Sequence, residues 1–205
     1  MRLYYAPRTI SIAVVIALEE AGLPYDPVRV DFQSGEQTSE TYLAINPKGR
    51  VPALQVLDGT VLTETGALLE YIATQAPEAG LVPEDPIKAA QMRSVMYYLA
   101  ATMHVNHAHK MRGHRWADQQ SSFDDMTAKV PQTMTASAQY FTENCLQGDY
   151  VLGDVFSMAD PHAYMICSWL AGDGVDLGDF PEIQAYLARM NERTSVKSAI
   201  AQGML

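Results

Sequence analysis

The spacing of apolar and polar positions changes character along the chain. Arg2–Tyr5 is a short apolar run of strand length. Ser11–Ala21 follows as a helical stretch, with Ser11 placed to cap its start and Gly22 just past its end, before Pro24. Val28–Asp31 predicts a second strand. A strand, a helix and a strand in this order make a βαβ unit, so these two strands are expected to lie parallel. Glu40–Ile45 predicts a short helix that Asn46-Pro47 stops. Ala53–Leu57 and Thr60–Thr63 flank Asp58-Gly59, a dipeptide suited to a tight hairpin, so the last two strands are expected to be antiparallel. Glu64–Gln75 closes the series as a helix with Leu68, Leu69 and Ile72 on one face. The predicted order is βαβαββα.

Pro77, Pro83, Pro86 and Gly80 punctuate Ala76–Pro86, and beyond them the patterns are helical. The chain is therefore divided into an α/β domain at 1–76, a linker at 77–86 and an all-α domain at 87–205. The expected helices are Ile87–Arg115, bent near Gly113; Phe123–Leu146, interrupted at Pro131; Met158–Leu170; and Pro181–Arg193. A short last turn covers Ser195–Ala201.

Composition narrows the function classes. The chain has 205 residues, with 14 Lys and Arg against 24 Asp and Glu, a net charge of −10. That balance disfavours bulk binding to nucleic acid or to an anionic membrane. No apolar run approaches the roughly 20 residues of a membrane span, and the start lacks the pattern of a signal peptide. The only cysteines, Cys145 and Cys167, suggest no disulfide framework. The expectation is a cytoplasmic protein.

Three motifs occur in order. They are Asn46-Pro47-Lys48-Gly49-Arg50-Val51-Pro52-Ala53-Leu54 with Leu62-Thr63-Glu64-Thr65; the opening Met1–Tyr5 with Ser11 and Ala21-Gly22-Leu23-Pro24-Tyr25; and Tyr150–Asp154 with Ser157-Met158-Ala159-Asp160. Together they resemble the cytosolic glutathione S-transferases, and the opening motif is similar to that of the bacterial Beta type. The resemblance implies a thioredoxin-like N-terminal domain, an all-α C-terminal domain and a homodimer. It also implies glutathione as co-substrate and a hydrophobic acceptor site between the domains.

The residues suit that chemistry. Val51-Pro52 can be an ordinary turn; the resemblance implies a cis bond that leaves the Val51 backbone to pair with an extended tripeptide. Glu64 and Thr65, where a strand passes into a helix, suit the ammonium and α-carboxylate of a γ-glutamyl group, although an acidic first turn is also a common helix start. Lys48 and Arg50 are candidates for the glycine carboxylate at the other end. A free thiol is mostly protonated at neutral pH, so it needs a donor. Ser11 is the first candidate, followed by Tyr5, Thr9 and His104. Beta-type proteins carry a cysteine just before this serine; here the position is Ile10. That removes a mixed disulfide at the site and leaves activation by hydrogen bonding.

His104, His107, His109 and His114 lie on the first long helix with Lys110, Arg112 and Arg115, and no acid interrupts Val105–Trp116. These histidines diverge around a helix, so no metal is expected. The resemblance assigns His104 to the active site. Ser157 and Asp160 read as a capping box and are expected to be structural. The expected function is conjugation of glutathione to electrophilic hydrophobic compounds. The alternatives are a glutathione-dependent disulfide reductase or peroxidase, and a non-catalytic binding protein with the same fold.

Overall fold

A computed structural model describes residues 1–205. The chain forms two compact units, Met1–Glu84 with Asn191–Leu205, and Asp85–Met190.

The first unit is built on a four-stranded sheet. Its strands are β1 (Arg2–Tyr5), β2 (Asp26–Arg29), β3 (Ala53–Gln55) and β4 (Val61–Thr63), in spatial order β2-β1-β3-β4. β1 and β2 are parallel, with Tyr4 opposite Val28, and β3 runs antiparallel to both β1 and β4. The crossover between β1 and β2 is α1 (Ser11–Glu20), buried from Ser11 through Leu18. That burial on every side explains its almost uninterrupted apolar sequence. α1 ends with Gly22 at φ +63°, where Gly22 N–H donates to the Glu19 carbonyl and Leu23 N–H to that of Leu18. This is the left-handed stop expected of a glycine. α2 (Glu40–Ile45) packs Tyr42 with Tyr4, Val30 and Ala53, and α3 (Thr65–Gln75) buries Leu68, Leu69 and Ile72.

The second unit opens with α4 (Pro86–Tyr98), which a π-turn at Leu99–Met103 joins to α5 (His104–Arg112). The expected change near Gly113 is present, where α5 ends at Arg112 (φ −128°, ψ 23°) and a 3-10 turn takes over at Gly113–Arg115; the π-turn at Leu99–Met103 is a second irregularity, not anticipated from the sequence. α6 (Gln120–Asn144) runs unbroken through Pro131, contrary to the expected interruption. The Val130 carbonyl there accepts from the Thr133 hydroxyl, and the Pro131 ring fills the space beside Gly174, where an added Cβ would lie 3.1 Å from its Cγ. α7 (Ala159–Cys167) is buried along its whole length, and α8 (Pro181–Glu192) packs Tyr186 beneath it.

The last helix, α9 (Thr194–Ala201), belongs to the first unit and lies against α1. Arg193 clamps the Glu20 carboxylate with two bonds of 2.7 and 2.6 Å, and the Ser195 hydroxyl donates to the same group at 2.5 Å. Burial opposes the charge on Glu20, but these two partners outweigh it and hold the carboxyl below its ordinary value. No helix is long and apolar enough to cross a membrane.

Candidate functional site

The loop from β1 into α1 gathers the first candidate residues. Ser11 is not the cap: Ile10 occupies that position in helical geometry without a side-chain bond, and Ser11 is the first helical residue, wholly buried. The Ser11 Oγ accepts from Ala6 N–H at 3.1 Å and lies 3.2 Å from the Ala6 carbonyl. Thr9 is the partly exposed member of the loop. Its Oγ1 lies 2.7 Å from Ser11 Oγ and 2.8 Å from the Ala6 carbonyl, and it accepts from Ser11 N–H at 3.3 Å.

Each hydroxyl has one hydrogen. Thr9 spends its hydrogen on the Ala6 carbonyl; Ser11, within reach of the same carbonyl, can take over that bond and let the Thr9 hydrogen turn outward to a stronger acceptor. The next amides of α1, from Ile12 and Ala13, are already spent on the carbonyls of Thr9 and Ile10. The hydroxyl pair is therefore the better-placed donor at this corner. Ile10 is buried, and so is the ring of Tyr5, the last residue of β1.

The loop between α2 and β3 is organised by Asn46, which is buried. Its carbonyl accepts from Gly49 N–H, its Oδ1 accepts from Lys48 N–H, and its Nδ2 donates to the Arg50 carbonyl at 2.6 Å. Gly49 sits at φ +60°, where an added Cβ would lie 3.0 Å from the Gln37 carbonyl oxygen, so a side chain there meets both strain and a clash. The Val51–Pro52 bond is cis, as the resemblance implies. Val51 itself lies outside the ladder, whose β3 register begins at Ala53.

Glu64 separates β4 from α3 at φ 72° and ψ 117°, a sparsely populated conformation for a residue with a side chain. Such strain costs about 1–3 kcal/mol and concentrates where function requires it. Lys48 and Glu64, expected at opposite ends of a tripeptide, are partners here. Lys48 Nζ is 2.5 Å from Glu64 Oε1 and donates to Thr63 Oγ1 at 2.8 Å. Thr65 follows as the first residue of α3, partly exposed, and the Arg50 side chain is exposed.

In the second unit, the histidines of α5 have separate fates. His107 Nδ1 lies 2.7 Å from Asp173 Oδ2, and its ring stacks on Trp169 with centroids 4.2 Å apart. His104 lies 5.2 Å from the same indole. Lys110 reaches the second Asp173 oxygen at 3.4 Å. His109 packs edge-on against Trp116, and His114 is exposed. His162 on α7 is fully buried with neither ring nitrogen bonded; burial, aided by the nearby His104, pushes it down to about 3, so it is a neutral core ring. No group of three or more His, Cys, Asp or Glu is placed to hold a metal ion. Both cysteines are buried, and burial pushes the Cys145 thiol up to about 11.

The capping box forms with an altered pattern. Asp160 reaches back to Ser157 N–H at 2.7 Å, while the Ser157 hydroxyl donates to Asp160 and accepts from Ala159 N–H instead of the amide one residue further on. Two further ties leave no trace in the local sequence pattern: Asp160 Oδ1 accepts from Val151 N–H at 2.9 Å, and the Tyr186 hydroxyl donates to the Asp160 carbonyl at 2.9 Å.

Comparison with known proteins agrees with this geometry. Residues 1–74 match the profile "Glutathione S-transferase, N-terminal domain", and residues 108–194 match the corresponding C-terminal domain. The chain is 29% identical over 207 residues to glutathione S-transferase GstA of Escherichia coli O157:H7, spanning 100% of both chains. It is 40% identical over 110 residues, 52% of each chain, to a maleylacetoacetate isomerase of Pseudomonas aeruginosa. A glutathione transferase homolog from Sulfitobacter, solved with bound glutathione, superposes with a TM-score of 0.98 at 62% identity, covering 100% of this chain and 98% of that one. The chain belongs to the glutathione S-transferase family.

Proposed function

We propose that this glutathione S-transferase activates the glutathione thiol and adds it to small hydrophobic electrophiles. The observation that carries the reading is the Thr9–Ser11 hydroxyl pair beside a buried Ile10. The corner offers a hydroxyl donor and no thiol of its own, which suits stabilising a bound thiolate and not exchanging disulfides with it. Thr9, being the partly exposed member, is the group assigned to the sulfur, with Ser11 behind it. Tyr5 is buried, and His104 stands on the resemblance alone.

Glu64 and Thr65 are assigned to the γ-glutamyl group, and the Val51 backbone next to Pro52 to the cysteinyl residue. Arg50 is assigned to the glycine carboxylate, since Lys48 is engaged with Glu64. The homodimer, which the resemblance implies, and the cytoplasmic location, which composition and cysteine usage suggest, are part of the same proposal.

The test is conjugation of a chromogenic aryl halide at saturating glutathione, run beside reduction of a small glutathione mixed disulfide. Conjugation that falls at neutral pH in Thr9→Val and recovers at high pH supports the reading. Disulfide reduction without conjugation favours the redox alternative, and glutathione binding without either activity favours a binding protein.

A further inference from the structure

The Arg50 carbonyl, one bond before the proposed glutathione-pairing residue, is held from two sides. The Tyr42 hydroxyl donates to it at 2.7 Å and Asn46 Nδ2 at 2.6 Å. Both donors are buried, with Tyr42 at 3% and Asn46 at 1% exposure. Tyr42 is fixed in turn: its amide is capped by Ser39 Oγ, and its ring meets Tyr4 edge-on at 5.9 Å. Burial pushes its phenol up to about 12, so it remains a donor throughout the physiological range.

Only the Val51–Pro52 bond is cis, so the Arg50–Val51 peptide is trans. In a trans peptide the C=O and N–H point in opposite directions. Anchoring the Arg50 carbonyl on Tyr42 and Asn46 therefore aims the Val51 N–H away from that buried side. Two donors on one carbonyl also polarise the peptide and strengthen the N–H at its other end.

We infer that Tyr42 and Asn46 are positioning residues for glutathione, acting through the Arg50–Val51 peptide to aim and strengthen the Val51 N–H that donates to the cysteinyl carbonyl. The inference rests on the assignment of Val51 made above. Neither side chain touches the ligand in this scheme, so the effect belongs to affinity and not to the chemical step. Tyr42 is the cleaner handle, because Tyr42→Phe removes one donor and keeps the ring against Tyr4.

The experiment has two arms. First, glutathione titrated calorimetrically into the wild-type protein and into Tyr42→Phe is paired with steady-state conjugation kinetics on both. A Kd and a KM for glutathione raised about three- to tenfold, the loss of one neutral hydrogen bond, with kcat at saturation within twofold, bear the inference out. An unchanged Kd in a folded variant overturns it, and so does an equal loss in kcat and affinity. Second, amide hydrogen exchange of Val51 in the wild-type protein needs no variant. Fast exchange in the free protein, slowed at least tenfold by 10 mM glutathione, bears the inference out. A Val51 amide protected before ligand is added overturns it. Wild-type protein that binds no glutathione would overturn the assignment of Val51 as well, which separates that failure from the failure of Tyr42 alone.

Discussion

Thr9 Oγ1 and Ser11 Oγ lie 2.7 Å apart, one hydroxyl partly exposed and the other sealed from solvent. The two residues should therefore fail differently when altered. Thr9→Val should cut kcat/KM for conjugation about 100-fold at pH 6.5, the low end of the range for one lost oxyanion-type donor, with a smaller loss at pH 9 where the thiol ionises unaided. Ser11→Ala strands the buried Ala6 N–H and should cost about 1–3 kcal/mol of stability. Thermal melts and pH–rate profiles on the two variants separate these effects; a pH-independent loss in Thr9→Val counts against its role at the sulfur.

The Lys48–Glu64 pair is exposed on both sides, so the pair itself adds little to stability. Glu64→Gln should shift unfolding by less than about 1 kcal/mol. It should weaken glutathione binding roughly tenfold, because a charge-assisted bond to the ligand ammonium is lost. Lys48→Ala should leave binding within a few fold. Titration calorimetry at low and high salt checks both outcomes.

Asp160 gives stability a pH dependence of known sign. Burial raises its pKa from 3.8 to about 6, against the bonds from Val151, Ser157 and Tyr186 that favour the ion. A raised carboxyl binds its proton more tightly in the folded state, so its contribution is full below about pH 4 and is lost as pH rises through 6. A shift of this size is on the order of 2–3 kcal/mol. The stability of the wild-type protein relative to Asp160→Asn should therefore decline between pH 4 and pH 6.5, as read by denaturant midpoints. Asp160→Ala should cost more than an exposed cap, about 2–4 kcal/mol, since three donors lose their acceptor in the core.

Asp173 joins α5 to the turn after α7 through His107 and Lys110. Asp173→Ala and His107→Ala should each destabilise the protein, and the double variant should lose less than the sum by about 1–2 kcal/mol. Additive losses measured by equilibrium unfolding would mean that the two side chains act independently.

The order of elements along the chain and the hairpin are readable because period, glycine and Asp58-Gly59 act within a few residues of one another, whereas the pairing of β1 with β3 is a long-range fact. Three features are not readable in that way. Ser11 reads as a cap, whereas a buried loop turns its hydroxyl back to Ala6. Pro131 reads as a break, yet the α6 ladder continues across the lost donor, with Thr133 bonding the Val130 carbonyl and Gly174 making room for the ring. The slip at Leu99–Met103 leaves no mark in composition, since a π-turn uses ordinary helical residues.

The candidate site divides along the same line. Val51-Pro52 and Glu64-Thr65 stand in contiguous motifs, so their neighbourhood is legible. The partnership of Lys48 with Glu64 and that of His107 with Asp173 join positions 16 and 66 residues apart, and no local pattern records them. Tyr42 is visible in the sequence only as one more apolar position in α2. Its hydroxyl acquires meaning from a carbonyl eight residues downstream.

The clamp of Arg193 and Ser195 on Glu20 has a consequence for biosynthesis. The contacts of the α/β unit are completed only when Arg193 and Ser195 have left the ribosome, although the first 84 residues emerge long before. Until then the nascent chain holds α1 with one flank uncovered and an acidic side chain lacking its cation. A version severed after Glu84 would keep that half-finished surface permanently, so the sheet and its Thr9–Ser11 corner are not expected to stand as an independent module.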